Sequence, residues 1–303
     1  MTTPADFTAY WDAIDAELAS IDPAPALTET PLRSTEVSTS YDLKLTSIGP
    51  YRIFGYLSVP KGDGPFPGLL HSPRYGSVNN PPHWDDRQRY VVLTLMHRGQ
   101  RLADSPFKAA YPGLLTQGID SPESWIYRAI LADIMRGAEY LMGHPAVDTT
   151  RVAMAGDDLG LIAAARRPGF STVNLTGLHL YRIGEARLRT DAYPIEELNE
   201  FLAMYPDAAE EVARTLSYFD PIAHAPSFTG TTILSEQDPG ALNGPEWLDP
   251  LRNALGGPVI PYRLCHEGGT DHDAIDALLA GQLGVSALPR LWPAAMERIG
   301  IVL

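Results

Sequence analysis

Arg151-Val-Ala-Met-Ala-Gly156-Asp157-Asp158-Leu159-Gly160-Leu161-Ile162 joins an apolar run, a glycine-flanked turn and the start of an Ala-rich segment. That order predicts a strand turning sharply into a helix. The spacing Gly156-x-Asp158-x-Gly160 places glycine where side chains would clash in such a turn. The turn should expose its central residue at the strand's C-terminal end and aim helix N-terminal amides at whatever reacts there. Asp158 therefore occupies a nucleophile's position, while Asp157 is expected to point away and cap the helix, because successive residues at a turn diverge.

Two further segments follow in a telling order. Ser235-Glu-Gln-Asp238 comes just after one strand-like run, and Cys265-His266-Glu267 just after the next. Nucleophile, acid and histidine in that sequence give Asp158, Asp238 and His266 as the candidate catalytic set. His266 also lies near Glu267, Asp271, His272 and Asp273, but the zinc pattern H-E-x-x-H fails because Thr270 takes the second histidine's place. Carboxylate-rich loops are usually solvated, so no metal is expected, and with no P-loop and no G-x-G-x-x-G after a strand no cofactor is expected either.

In this unit and on either side of it, short apolar runs at Pro67–His71, Tyr90–Met96, Arg151–Ala155, Thr172–Leu178, Thr231–Leu234 and Val259–Leu264 read as buried strands. Tyr51–Val59 has strand character and ends in a Pro/Gly turn. Helical stripes separate them. Phe7, Trp11, Ile14 and Leu18 form one between Pro4 and Ile21. Ser121-Pro122 predicts the start of another, carried on by Ile126, Ile130, Ile134, Ala138 and Leu141. Alternating strands and helices predict an α/β fold with a mostly parallel sheet covered on both faces. One domain over 1–303 is expected, with a helical and Pro-rich arm at 1–31 and an acid-rich helical insertion at 182–218 placed to cap the site.

The 303 residues carry 23 Lys plus Arg against 37 Asp plus Glu, a net charge of −14. That balance disfavours nucleic acid and anionic membranes as partners and leaves a small molecule as the expected one. No apolar run reaches the roughly 18 residues of a membrane span. Cys265 is the single cysteine, so no internal disulfide can form. The opening residues show no basic-then-apolar leader, and a cytoplasmic protein is the expectation.

The chain resembles the acetylxylan esterase and cephalosporin-C deacetylase group, carbohydrate esterase family seven of the α/β-hydrolases. The resemblance rests on Pro4-Ala-Asp-Phe-Thr-Ala-Tyr-Trp11, Gly55-Tyr-Leu-Ser-Val-Pro60, Tyr75-Gly76, Arg98-Gly-Gln100, Tyr127-Arg128, Leu216-Ser-Tyr-Phe-Asp220 and His266-Glu267. It implies an α/β-hydrolase fold, His266 as catalytic histidine and Asp238 as its orienting acid. It also implies an oxyanion hole from the backbone amides of Tyr75 and Leu159, structural roles for Arg98 and Gln100, and a homo-oligomer, a hexamer by family habit. The family elbow reads Gly-x-Ser-Gln-Gly; here Asp158 replaces the serine and Leu159 the glutamine.

An aspartate at the elbow is ionised near neutral pH and needs no base to attack. Attack on an ester carbonyl would give a high-energy mixed anhydride. Attack on an alkyl carbon bearing a halide, or on an epoxide, would give an ordinary ester that His266 and Asp238 could hydrolyse with water. In this respect the elbow is similar to those of dehalogenases and epoxide hydrolases of the same fold. The expected function is thus a small-molecule hydrolase with Asp158 as covalent nucleophile. The alternatives are Asp158 as general base in a non-hydrolytic step, or an inactive relative that binds ligands or has a structural role. With the rest of the site intact, Asp158→Ser is expected to create acetyl esterase activity and Asp158→Asn to leave stability level or higher.

Overall fold

The computed structural model describes residues 2–288, so the last fifteen positions of the expected domain lie outside the described residues. Its centre is a nine-stranded sheet: β1 (Ala26–Glu29), β2 (Ser38–Ser47), β3 (Tyr51–Pro60), β4 (Phe66–His71), β5 (Val91–Met96), β6 (Val147–Asp157), β7 (Thr172–Gly177), β8 (Thr231–Glu236) and β9 (Val259–Arg263). The spatial order is β1-β2-β3-β5-β4-β6-β7-β8-β9. The first three strands run antiparallel, and everything from β5 through β4 to β9 is parallel. This is the α/β-hydrolase fold. Each predicted strand is present. β1 and β2 are additional, and β2 reads poorly because polar residues such as Ser38, Ser40 and Ser47 are buried in it.

Among the described residues the helices are α1 (Phe7–Ala19), α2 (Trp84–Arg87), α3 (Ile126–Met142), α4 (Asp158–Arg166), α5 (Ile183–Ala186), α6 (Glu196–Met204), α7 (Ala209–Ser217), α8 (Pro221–His224), α9 (Pro245–Ala254) and α10 (Gly268–Leu283). The stripe Trp11, Ile14 and Leu18 of α1 is fully buried. α3 starts later than Ser121-Pro122 predicts. Residues 121–124 form turns, Trp125 is extended at ψ 128°, and its indole N–H donates to the Leu115 carbonyl at 2.6 Å. A tertiary contact thus holds Trp125 out of the helix.

Several resemblance motifs are structural seams. Trp11 Nε1 donates to the Tyr218 carbonyl at 3.1 Å, and Trp11 packs edge-on against both Phe219 and His224. Asp220 caps α8 by accepting from the Ile222 amide at 3.2 Å. Arg98 pairs with the fully buried Asp133 through both side-chain oxygens, at 2.7 and 3.0 Å, and also donates to the Ile48 carbonyl. Gln100 Nε2 donates to the carbonyls of Arg74 and Gly76, fixing the loop after β4 on which Tyr75 sits.

Candidate active site

The C-terminal ends of β6, β7, β8 and β9 carry the candidate residues, which is where a parallel sheet presents loops to a ligand. The elbow forms as its sequence predicts. β6 ends at Asp157 and α4 begins at Asp158. Ser72, just beyond β4, packs closely against both elbow glycines. A Cβ on Gly156 would lie 1.8 Å from Ser72 Oγ, and one on Gly160 would lie 3.0 Å from Met154 Cγ and 3.2 Å from Ser72 Oγ. The tight turn is therefore a packing demand of the neighbouring strand as well as of its own backbone.

The elbow carboxylates do not face outward. Asp158 is fully buried. Its Oδ2 accepts three backbone N–H groups from the loop after β7: His179 at 2.9 Å, Leu180 at 2.5 Å and Tyr181 at 3.0 Å. Its Oδ1 has no hydrogen-bond partner and lies 3.4 Å from His179 Nδ1. The expectation that the turn exposes Asp158 is corrected: the amides at 179–181 attract the carboxylate more strongly than solvent does in that confined turn.

Asp157 is the cap of α4. Its Oδ1 accepts the Leu159 amide at 3.1 Å, and its Oδ2 lies 3.8 Å from His179 Nδ1. Burial pushes the Asp157 carboxyl up to about 6; His179 beside it pulls it down and Asp158 pushes it up. This cap corrects a second expectation. The Leu159 amide already has an acceptor, so it is not a free oxyanion donor. The Tyr75 amide has no partner among the described residues, and the Tyr75 ring packs edge-on against Tyr111 at 5.1 Å.

Asp238 and His266 do come together. His266 Nε2 lies 3.7 Å from Asp238 Oδ2, and their side chains are 51% and 70% exposed respectively. His266 has φ 61° and stands on a turn held by Asp271, whose Oδ1 accepts the Cys265 amide at 2.9 Å and the Tyr262 hydroxyl at 2.7 Å. Among the described residues no ion pair joins His266 to Asp158, and the imidazole within 4.0 Å of Asp158 is that of His179. Sequence reasoning passed over His179, although a histidine just past the strand-like run ending at Leu178 was the available signal.

Residues 182–218 hold α5, α6, a single 3₁₀ turn at 206–208 and α7. Residues around α5 and the segment after β8 form a groove of about 400 Å³ lined by Arg182, Glu185, Arg189, Gly240 and Trp247. The Arg182 and Arg189 guanidinium groups lie 4.2 and 4.9 Å from the Trp247 ring centroid. No helix among the described residues is long and apolar enough to cross a membrane.

Comparison with known proteins agrees with this architecture. Residues 1–236 match the family model for acetyl xylan esterase (AXE1). An acetyl esterase of Xylanibacter ruminicola, Axe7A, is 24% identical over 243 residues, which is 75% of this chain and 54% of that protein. The chain thus spans about half the length of that curated relative. The acetyl xylan esterase of Paenibacillus sp. R4 superposes with a TM-score of 0.79 at 21% identity, covering 94% of this chain and 96% of its own. Acetyl xylan esterase 1 of Thermoanaerobacterium sp. JW/SL YS485 gives 0.74 at 21% identity, with 90% and 93% covered. The chain belongs to the acetyl xylan esterase family, a hydrolase lineage on the α/β-hydrolase fold.

Proposed function

We propose that this chain is a member of that lineage whose elbow has become a clasp, and that it binds a small molecule near Asp238 and His266 without cleaving acetyl esters. Acyl transfer needs a nucleophile free to attack and amides free to hold an oxyanion. The observation that carries the reading is that one oxygen of Asp158 and the Leu159 amide are already engaged. Asp158 Oδ2 takes three amides of the 179–181 loop, and Asp157 takes the Leu159 amide. What stays open to solvent is the Asp238–His266 pair and the groove at Gly240, of a size usual for small ligands. The relatives named for acetyl ester cleavage supply the substrate class to test. Wild type, His266→Ala and Asp238→Ala should turn over p-nitrophenyl acetate and acetylated xylan at the same background rate. A wild-type rate that disappears in His266→Ala overturns the reading.

One observation favours a second reading, a hydrolase with Asp158 as covalent nucleophile: Oδ1 has no hydrogen-bond partner and an imidazole stands 3.4 Å away. Oδ1 would displace a halide from an alkyl carbon, or open an epoxide, to form an ester. Water activated by histidine would then cleave it. Incubation of His266→Gln and His179→Gln with alkyl halides and epoxides, followed by intact mass and peptide mapping, decides between the two. An adduct on Asp158 replaces the clasp reading.

A further inference from the structure

Among the described residues, Asp157, Asp158 and His179 each offer one ligand atom, and the three atoms lie within 4.8 Å of one another. We propose that they form a binding site for a first-row divalent cation such as Zn²⁺ or Mn²⁺, with Asp157 Oδ2, Asp158 Oδ1 and His179 Nδ1 as ligands.

The carboxylates are arranged as ligands rather than as a solvated acidic patch. In each, one oxygen is pinned by backbone amides and the other is turned toward His179. Asp157 Oδ1 takes the Leu159 N–H while Oδ2 lies 3.8 Å from His179 Nδ1. Asp158 Oδ2 takes three N–H groups while Oδ1 lies 3.4 Å from the same nitrogen. Amide bonds to the second oxygen are the usual outer support of a ligating carboxylate, since they fix its orientation.

A second observation points to a ligand. Asp158 Oδ1 is a fully buried carboxylate oxygen, aimed into the cluster, with no hydrogen-bond partner. Leaving such an atom bare is costly, and a cation removes the cost. Two ligands about 2.1 Å from one ion sit roughly 3.0–3.5 Å apart at ordinary coordination angles. The 3.4 Å pair already meets that spacing, the 3.8 Å pair needs a closure of a few tenths of an ångström, and the two carboxylate oxygens, within 4.8 Å of each other, need a closure of no more than about 1.3 Å. Two oxygens and an imidazole nitrogen favour first-row metals over the all-oxygen preference of Ca²⁺ or Mg²⁺. Asp157 and His179, whose side chains are 10% and 11% exposed, are the members of the cluster that reach solvent. The proposal goes beyond the clasp reading and is tested without turnover, so either can fail alone.

The test is titration of chelator-treated full-length protein with Zn²⁺ and, separately, Mn²⁺, by calorimetry and thermal shift. One equivalent should bind and raise the melting temperature. His179→Gln and Asp157→Asn should each weaken binding at least tenfold, and Asp158→Asn should do so if it folds. His266→Gln and the double variant His83→Gln, His272→Gln should keep the equivalent; the latter two rings lie 6.3 Å apart on the surface and control for adventitious zinc. No binding of either ion to wild type overturns the proposal. So does an equivalent that survives His179→Gln, or one that disappears in a surface control.

Discussion

Two carboxylate–imidazole pairs lie at the C-terminal ends of adjacent parallel strands and are held in opposite ways. Asp158 and His179 approach to 3.4 Å with side chains 0% and 11% exposed, and the carboxylate has three backbone donors on one oxygen. Asp238 and His266 approach to 3.7 Å with side chains 70% and 51% exposed, and among the described residues no backbone amide donates to the Asp238 carboxylate. The first pair is tied to the chain's own backbone and organises a loop. The second is tied to little and is open to a ligand. The same residue types thus mean different things at the two places, and what separates them is the number of buried backbone donors pointed at the carboxylate.

The largest expected effect breaks or sustains that contrast through stability. Asp158→Ala leaves three amides at 179–181 without their acceptor in a buried setting, a loss of about 3–5 kcal/mol. Asp158→Asn keeps one oxygen for the amides but removes the charge, and should fall between Ala and wild type. The elbow's exposure had implied the reverse, level or raised stability for Asp158→Asn; burial of the carboxylate changes the sign. Asp238→Ala should stay within about 0.5 kcal/mol of wild type, as exposed substitutions usually do. Urea denaturation of the variants measures this. Equal midpoints for Asp158→Ala and Asp238→Ala would refute the clasp.

A smaller effect concerns activity. Asp158→Ser by itself should not turn over p-nitrophenyl acetate above an Asp158→Ala control, because Asp157 still occupies the Leu159 amide. The double variant Asp157→Ala, Asp158→Ser frees that donor. One oxyanion donor is commonly worth about 10²–10³ in rate, and even a poorly aligned one should lift the double variant about tenfold above the single. A single Asp158→Ser variant as active as the double would mean the cap does not block the hole.

Much of this was legible in the sequence, and the omissions have physical causes. The β6–elbow–α4 unit could be read because strand hydrophobicity, glycine spacing and an Ala-rich helix agree locally. The α1 stripe could be read because Trp11, Ile14 and Leu18 repeat at helical spacing. β2 could not, since its buried serines look solvent-facing; Ser40 and Ser58 satisfy each other across the strands at 3.1 Å. The orientation of Asp158 was out of reach as well. Its partners lie 21 to 23 residues downstream and are backbone amides, which carry no residue-type signal. Chain order gave the Asp238–His266 pair and the resemblance gave the Leu159 position; the cap by Asp157 was legible as well, but that it takes the very amide meant for an oxyanion shows only in the fold.

The smallest effect is a pH signature on the buried side of the comparison. Asp220 belongs to the same tied region: its Oδ2 accepts the Arg182 amide at 3.3 Å, one residue beyond the loop that Asp158 holds. Burial pushes its carboxyl up to about 6, against hydrogen bonds from Ile222 and Arg182 that pull it down. A raised folded-state value means that the native state keeps a proton between about pH 4 and 6 where the unfolded chain has lost it. Asp220 therefore favours folding most below its unfolded value, and that contribution is lost as pH rises through about 6. His224, four residues on, works in the opposite sense. Burial pushes it down to about 3, so the unfolded chain takes up its proton first and acidification below about 6.5 destabilises the fold. Wild-type stability alone mixes the two. The difference between wild type and Asp220→Asn isolates one, since asparagine does not titrate. Each pKa unit is worth 1.36 kcal/mol, and between pH 7 and pH 5 about one unit of the Asp220 window is crossed. Whatever its offset at pH 5, Asp220→Asn should gain about 1 kcal/mol relative to wild type on moving to pH 7, read from urea midpoints at the two pH values. Parallel curves would show that Asp220 is charged throughout and that its two amide donors outweigh burial, which would make it a clasp of the same kind as Asp158.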